Sequence, residues 1–267
     1  MPKLPAPPLP APLRTPPPRP GEGTGNGGPV EGAKQAGVAV VDWVDERTSL
    51  SGAARWLMFR KVPKGTNWFY TLGSATMFAF LSQAVTGVFL AMYYRPDPAG
   101  GAYESIRYVT NDVFLGQFVR GMHKWGSSVM VVLVFLHMAR TFFFGAYKYP
   151  RELNWVIGVV LLILTMVMSF TGYLLPFDQR AYWATIVGVN INGTGPLIGP
   201  YLSDFLRGGS EFGATTLSRF YAIHMLIVPG LLAALIGAHL YLVAKLGTTA
   251  PPWTKAQKRV ELRETEI

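Results

Sequence analysis

The four histidines of this 267-residue chain fall at two intervals: His123 and His137 are 14 residues apart, and His224 and His239 are 15 apart. Each lies inside a long apolar run, where an ionisable side chain is costly and marks a functional site. On an α-helix, 14 residues advance ~21 Å and stop about 40° short of whole turns, so His123 and His137 share a face. Fifteen residues advance ~22 Å and overshoot by about 60°, and Pro229, between His224 and His239, bends a helix enough to absorb part of that. The two pairs match in height, so two facing His pairs are expected, His123 with His224 and His137 with His239. Facing imidazoles in hydrocarbon suit a zinc site, a proton relay or the axial ligation of a haem. Zinc calls for four ligands, and no Cys, Asp or Glu lies at either depth. Haem calls for two axial ligands and an apolar slot. The competing reading, a histidine that merely hydrogen-bonds across a helix interface, accounts for one residue well and for four at matched intervals poorly.

Glycine and arginine repeat the pattern. Gly73 and Gly87 lie in one apolar run and Gly158 and Gly172 in another, again 14 apart in each. Glycine lets a flat macrocycle or a backbone approach closely, so two further helices would carry notches at the two histidine levels; ordinary packing of membrane helices is the alternative. Haem propionates need cations. Arg120, three before His123, and Arg219, five before His224, lie at one level, and Arg140, three after His137, at the other, with Lys124 and Lys245 near. Their alternative role is snorkelling at helix ends. The chain has no cysteine, which excludes disulfides, thiolate metal sites, iron–sulfur ligation and thioether-attached haem.

The elements that must position these residues follow from composition. Half the chain is hydrophobic and only 15% is charged, against about a quarter in soluble domains. Residues 67–94, 118–146, 153–176 and 217–246 are nearly uncharged apolar runs, each sufficient for the ~20 residues that cross a bilayer as helix. The expectation is an all-α integral membrane four-helix bundle over 67–247. Ten of the first twenty residues are Pro, followed by GEGTGNGG, so 1–35 is expected to be a disordered tail, retained because it holds no apolar core of the kind a secretory signal needs. Residues 36–66 mix Trp43, Trp56, Leu57 and Phe59 with Arg47, Arg55, Arg60 and Lys61, the pattern of an interfacial amphipathic helix. Residues 248–267 form a polar tail. The second and third runs are joined by a tight YKYPRE turn; the links 95–117 and 177–216 are long, and the second is apolar enough (AYWATIVGVNI, GPLIGPYL) to form short surface helices. The net charge of +9 comes from Lys and Arg beside the spans, which argues orientation in a membrane rather than nucleic-acid binding. The termini and the YKYPRE turn carry the basic excess, which puts them on the cytoplasmic side.

The strings RGMHKWGSSVMVVLVFLHMAR, YPRELNWVIGVV, FTGYLLPFDQRAYWA and LSRFYAIH resemble the N-terminal, haem-carrying half of cytochrome b, over about residues 40–247. The 14 and 15 spacings and the stop after four spans look most like the split form, cytochrome b6. The resemblance implies a di-haem domain at 67–247 in a bacterial inner (cell) membrane, with both termini cytoplasmic. It implies two non-covalent haem b groups, a low-potential outer one on His123 and His224 and a high-potential inner one on His137 and His239. It also implies an electron-transfer subunit of a quinol:cytochrome c reductase, working in a Q-cycle between outer quinol oxidation and inner quinone reduction. Tyr173, Phe177, Tyr182, Trp183, Ile186 and Val187 match the segment that lines the outer quinol pocket in the family; interfacial anchoring is their other reading. Implied partners are a C-terminal cytochrome b half of about three spans, a Rieske iron–sulfur protein, a c-type cytochrome and lipid, in a homodimeric complex. The family's Pro-Glu-aromatic-Tyr string is absent from this chain, so it is not expected to oxidise quinol alone; Asp178, the nearest loop carboxylate, reads as loop-structuring. The photosynthetic branch attaches a third haem through a cysteine at the position of Thr71, so no covalent haem is expected. The basic residue that this branch carries after the last histidine falls on Ala244. Two rivals remain at this stage, a di-haem b anchor of a dehydrogenase or nitrate reductase, and a non-haem structural or transport protein.

Overall fold

The computed structural model describes residues 29–49, 51–52, 63–209 and 211–254, and within them every regular element is helical. Two units divide at Lys61 and Val62. The first contains α1 (Pro29–Thr48). Proline is pre-set for the first helical position, and the Glu, Ala, Lys and Gln that follow are strong helix formers. Residues 29–35 are therefore helix rather than unstructured tail, a correction to the expected boundary; the composition that suggested disorder belongs to residues 1–28, which lie outside the described residues. α1 stops at Thr48, with Ser49 at φ 51°, and residues 63–67 are turn and irregular chain. One continuous helix over 36–66 is therefore not formed, and its 53–62 stretch lies outside the described residues. α1 exposes Val38, Val41 and Trp43, and Arg47 donates to the Trp43 carbonyl at 2.8 Å while lying 4.2 Å over its ring.

In the second unit, the Asn67 side chain accepts from the Phe69 N–H and starts a 3-10 turn, Trp68–Thr71, that runs into α2 (Leu72–Ala91). Next come α3 (Gly101–Asn111), α4 (Gly116–Phe143), α5 (Glu152–Leu174), α6 (Gln179–Gly193), α7 (Gly199–Arg207), α8 (Ala214–Ala222), a π-helical turn (Ile223–Ile227) and α9 (Val228–Leu246). Four stretches are long and apolar enough to cross a membrane: Trp68–Ala91, Gly116–Phe143, Glu152–Leu174 and Ala214–Leu246. Within the most apolar 18 residues of each, only 6–11% are buried, and Phe78, Val85, Val132, Ile163 and Leu226 stand exposed on the outside. Such continuous apolar exposure is what a lipid-facing surface requires. The chain is a multi-pass membrane protein.

α2 lies along α4, and α9 lies along α5. Four spans put both ends of the bundle chain on one side, together with the α4–α5 turn; α3, α6 and α7 gather at the opposite, loop end. The link 95–117 contains α3, which the sequence reading did not resolve; its 11 residues bury Ala102, Ser105 and Val109 on one stripe. The 177–216 link forms the expected short helices, α6 and α7. Asp178 caps α6, its carboxylate accepting from the Ala181 N–H at 2.8 Å, so this acid is a structural cap. The apolar core sits at the loop end, where Leu174, Val189, Leu206, Leu217, Phe220, Ile223, Val228 and Leu232 meet. The turn end is closed by polar ties. Arg151 donates to the Leu246 and Gly247 carbonyls at 3.0 and 3.2 Å, capping α9. Tyr70 donates to the Thr249 carbonyl and the Trp253 indole to the Gly65 carbonyl.

Candidate metal centre

The topology brings one histidine from each of the two histidine-bearing spans to each end of the bundle. The His123 and His224 ring centroids are 6.4 Å apart at an interplanar angle of 78°, and those of His137 and His239 are 6.4 Å apart at 79°. Two metal–imidazole bonds of about 2 Å in line, with ~1.1 Å from nitrogen to ring centre, would separate centroids by ~6.2 Å. Both pairs fit that spacing. Among the described residues no three His, Asp or Glu converge, so a four-coordinate zinc site has no protein donors beyond the two imidazoles.

The 15-residue interval is reconciled with the 14-residue one by the π turn. Val228 N–H bonds the Ile223 carbonyl, five residues back, so this turn takes up one residue more than an α-helical turn. Fifteen residues with one π turn keep the register of 14 without it. The expected correction by Pro229 is thus made mainly just ahead of it: a π turn tolerates the hydrogen bond that proline cannot donate.

Hydrogen bonding fixes the tautomer at the loop end. Thr86 Oγ1 lies 2.9 Å from His123 Nδ1 and Thr171 Oγ1 lies 3.3 Å from His224 Nδ1. Each hydroxyl has one hydrogen, and each donates it to its own helix, Thr86 to the Ser82 carbonyl at 2.6 Å and Thr171 to the Val167 carbonyl at 2.8 Å. The threonine oxygen must therefore accept, and Nδ1 must carry the proton. For His224 the Met168 carbonyl, 3.0 Å from Nδ1, requires the same. Nε2 on both rings is then a bare lone pair. Two such nitrogens cannot hydrogen-bond each other, so the Nδ1 contacts to α2 and α5 leave both Nε2 atoms available to a ligand. At the turn end His239 has the Asn154 backbone beside it and no hydroxyl on its buried Nδ1. Sequence reasoning passed over Thr86 and Thr171; the available signal was the Thr-Gly dipeptide, which occurs at both loop-end glycines and at neither of the others.

The four glycines sit where the histidine rings need room. A Cβ on Gly73 would lie 3.1 Å from His137 Cε1, one on Gly87 3.2 Å from His123 Cε1, and one on Gly158 3.8 Å from His239 Cε1; one on Gly172 would collide with the His224 ring. Each notch thus faces the imidazole of the span packed beside it. The interval reveals the level of each notch but not this neighbour.

The arginines diverge. Arg140 has buried Nε and Nη2 atoms without hydrogen-bond partners and lies 3.8 Å over the Tyr70 ring. A buried guanidinium with orphaned donors suits an anionic group. Arg120 is half-buried on α4, one turn before His123. Arg219 instead commits Nη1 to the Phe205 carbonyl near the end of α7. Of the aromatic set, Phe177, Tyr182 and Trp183 form a ring cluster, with centroids 5.9 and 5.3 Å apart, that extends to Phe212. Tyr173, on α5, and Val187, on α6, are exposed, and Ile186 is half-buried. Of the six, Phe177 lines a cavity of about 510 Å³ with Tyr103, Asp178, Gln179 and Arg180.

The fold and the site define an all-helical, multi-pass membrane bundle with a His pair at each of two levels, and similarity to known proteins narrows it. Residues 57–247 match the family described as Cytochrome b/b6/petB. The chain is 44% identical over 218 residues, 79% of its length and 97% of the relative's, to the menaquinol:cytochrome c reductase cytochrome b subunit of Geobacillus thermodenitrificans. It is 42% identical over 213 residues, 79% of its length and 100% of the relative's, to cytochrome b6 of Heliobacterium modesticaldum (strain ATCC 51547 / Ice1). A solved chain of a hyperthermophilic respiratory Complex III superposes with a TM-score of 0.73 at 33% identity, covering 79% of this chain and 56% of that one. The chain belongs to the cytochrome b/b6 family.

Proposed function

We propose that this chain is the di-haem cytochrome b subunit of a quinol:cytochrome c reductase. It would carry electrons across a bacterial cell membrane between an outer quinol-oxidising site and an inner quinone-reducing site in a Q-cycle. The observation that carries this reading is the pair of 6.4 Å His–His juxtapositions, one of them with both Nε2 lone pairs left free by the Thr86 and Thr171 contacts. His123 and His224 would hold one haem b at the loop end, and His137 and His239 the second. Haem held by these imidazoles would supply a one-electron ferric–ferrous couple, and with two protein ligands on the iron it would serve transfer rather than substrate binding.

The rest of the reading concerns this chain's own residues. Gly73, Gly87, Gly158 and Gly172 give the four imidazoles room to stand between the spans. Arg140 would face a propionate with its unpartnered Nε and Nη2, and Arg120 would do so at the other level; Arg219 has only its remaining N–H groups for that role. Tyr173, Phe177, Tyr182, Trp183, Ile186 and Val187 would border the quinol pocket, where the Phe177–Tyr182–Trp183 cluster offers aromatic faces. Lys148, Arg151 and Lys245, at the turn end, support a cytoplasmic turn and cytoplasmic termini. The relatives' names support a reductase complex that passes electrons to cytochrome c; the family resemblance adds as partners the second half of cytochrome b, a Rieske protein and a c-type cytochrome, in a dimeric complex. The test is haem stoichiometry in the complex purified through this chain. Two acid-extractable b haems per chain, with separate reduction steps, are expected; one haem or none overturns the proposal.

A further inference from the structure

We propose that Thr86 and Thr171 are positioning residues that set the redox potential of the loop-end haem alone. The inference rests on the di-haem reading and deepens it. Each threonine stands one residue before a loop-end glycine, so the glycine that seats a histidine ring and the hydroxyl that meets its Nδ1 come from the same helical turn. Thr86 Oγ1 is 2.9 Å from His123 Nδ1, and Thr171 Oγ1 is 3.3 Å from His224 Nδ1. At the turn end the corresponding positions are Leu72 and Ile157, whose side chains cannot accept a hydrogen bond, and His239 has the Asn154 backbone beside it and no hydroxyl on Nδ1. The two levels thus have the same ring spacing and different Nδ1 environments.

An acceptor on Nδ1–H draws the proton outward and makes the ring a stronger donor through Nε2, which raises ligand basicity at the metal. A stronger donor favours the ferric state, so these contacts lower the potential at the loop end. The contribution is unequal. Thr86 Oγ1 meets its Nδ1 at 2.9 Å and Thr171 Oγ1 at 3.3 Å, and a backbone carbonyl stays beside each ring if the hydroxyl is lost, Gln83 beside His123 and Met168 at 3.0 Å from His224 Nδ1.

The experiment is a redox titration, by haem absorbance, of the intact complex carrying Thr86→Val, Thr171→Val, Thr86→Ser or the double valine variant. Valine keeps the shape and removes the acceptor. Thr86→Val should shift the loop-end haem upward by about a tenfold change in its oxidised-to-reduced ratio at fixed ambient potential, ~59 mV for a one-electron couple. Thr171→Val should shift it less and the double variant most. The turn-end haem should hold its potential, and Thr86→Ser should restore the original value. An unchanged potential in Thr86→Val with both haems retained overturns the inference and leaves the di-haem reading standing. Equal shifts of both haems also overturn it, because they signal a general structural effect. Should a valine variant lose its haem, Thr86→Ser and Leu72→Thr decide: failure of the Leu72→Thr hydroxyl to lower the turn-end potential counts against the inference. Absence of two b haems in the unmodified complex is failure of the underlying reading instead.

Discussion

Replacing the four glycines by alanine, one at a time, should produce a graded loss of haem rather than a uniform one. The grading comes from the space each Cβ would enter. At Gly172 the new methyl collides with the His224 ring, so the ring or the span must move. Overpacking of a rigid site costs about 1–3 kcal/mol, and the upper end, about 3 kcal/mol, is a loss of roughly 100-fold in affinity at the loop-end pair. At Gly73 and Gly87 the contacts are 3.1 and 3.2 Å, which a shift of a few tenths of an ångström relieves. About 1 kcal/mol, or roughly fivefold, is expected there. At Gly158 the contact is 3.8 Å, ordinary van der Waals distance, and alanine gains about 1 kcal/mol of helix propensity over glycine; haem content should hold. The assay is reduced-minus-oxidised absorbance of the complex in membranes, normalised to chain abundance by immunoblot. If Gly158→Ala loses its haem as completely as Gly172→Ala, the notches seat the macrocycle and not the imidazoles, and the reasoning fails.

The remaining predictions are briefer. Alanine at His123 or His224 should remove the loop-end haem and spare the other, and alanine at His137 or His239 the reverse, read from the two reduction steps; loss of both from one substitution in a chain that still inserts would contradict the pairing. Arg140→Gln should loosen the turn-end haem several-fold while Tyr70→Leu does not, since the orphaned Nε and Nη2 and not the ring contact are assigned the anion; equal losses would reverse that assignment. Acid acetone should strip all colour from the chain, because no cysteine is present to form a thioether link, and a haem-staining band at its mass on a denaturing gel would refute this. Deleting Leu226, an exposed residue of the π turn, should convert the turn to α-helix and leave both haems bound, whereas inserting one alanine beside it should rotate His239 by about 100° and abolish the turn-end haem. Retention of that haem after the insertion would show that the helix register does not set the pair.

The spans were legible because a bilayer demands some 20 apolar residues in a row, and the His levels because helical rise and rotation are fixed by spacing alone. What lay beyond reach depended on neighbours rather than on intervals. The interval of Gly158 and Gly172 shows the level at which they act, but that a His224 ring abuts Gly172 follows only once α9 packs on α5. The sequence position of Arg219 placed it at the loop-end level, yet its side chain turns to the Phe205 carbonyl, a choice made by where α7 ends. α3 escaped notice because its stripe of Ala102, Ser105 and Val109 is short and only weakly apolar. The π turn escaped because its one added residue reads, in a sequence, as a 60° misalignment to be explained away. Residues 29–35 were drawn into the tail by the proline and glycine ahead of them, although their own propensities are helical.

The bundle can also be divided into two halves built alike. α2 and α4 pair antiparallel, with Gly73 beside His137 and Gly87 beside His123; α5 and the α9 span pair antiparallel, with Gly158 beside His239 and Gly172 beside His224. Each half therefore completes two single-ligand half-sites, and neither completes a bis-histidine site. Only docking of one half on the other brings the rings to 6.4 Å. Between lipid-exposed helices there is no hydrophobic driving force for that docking, since the tails are as apolar as the side chains. A ligand that bridges both halves binds the docked state and not the separated one, and so stabilises the bundle by mass action. On the di-haem reading, the metal groups are then part of what holds the four spans together, and loss of one histidine weakens the association of the halves at its own end.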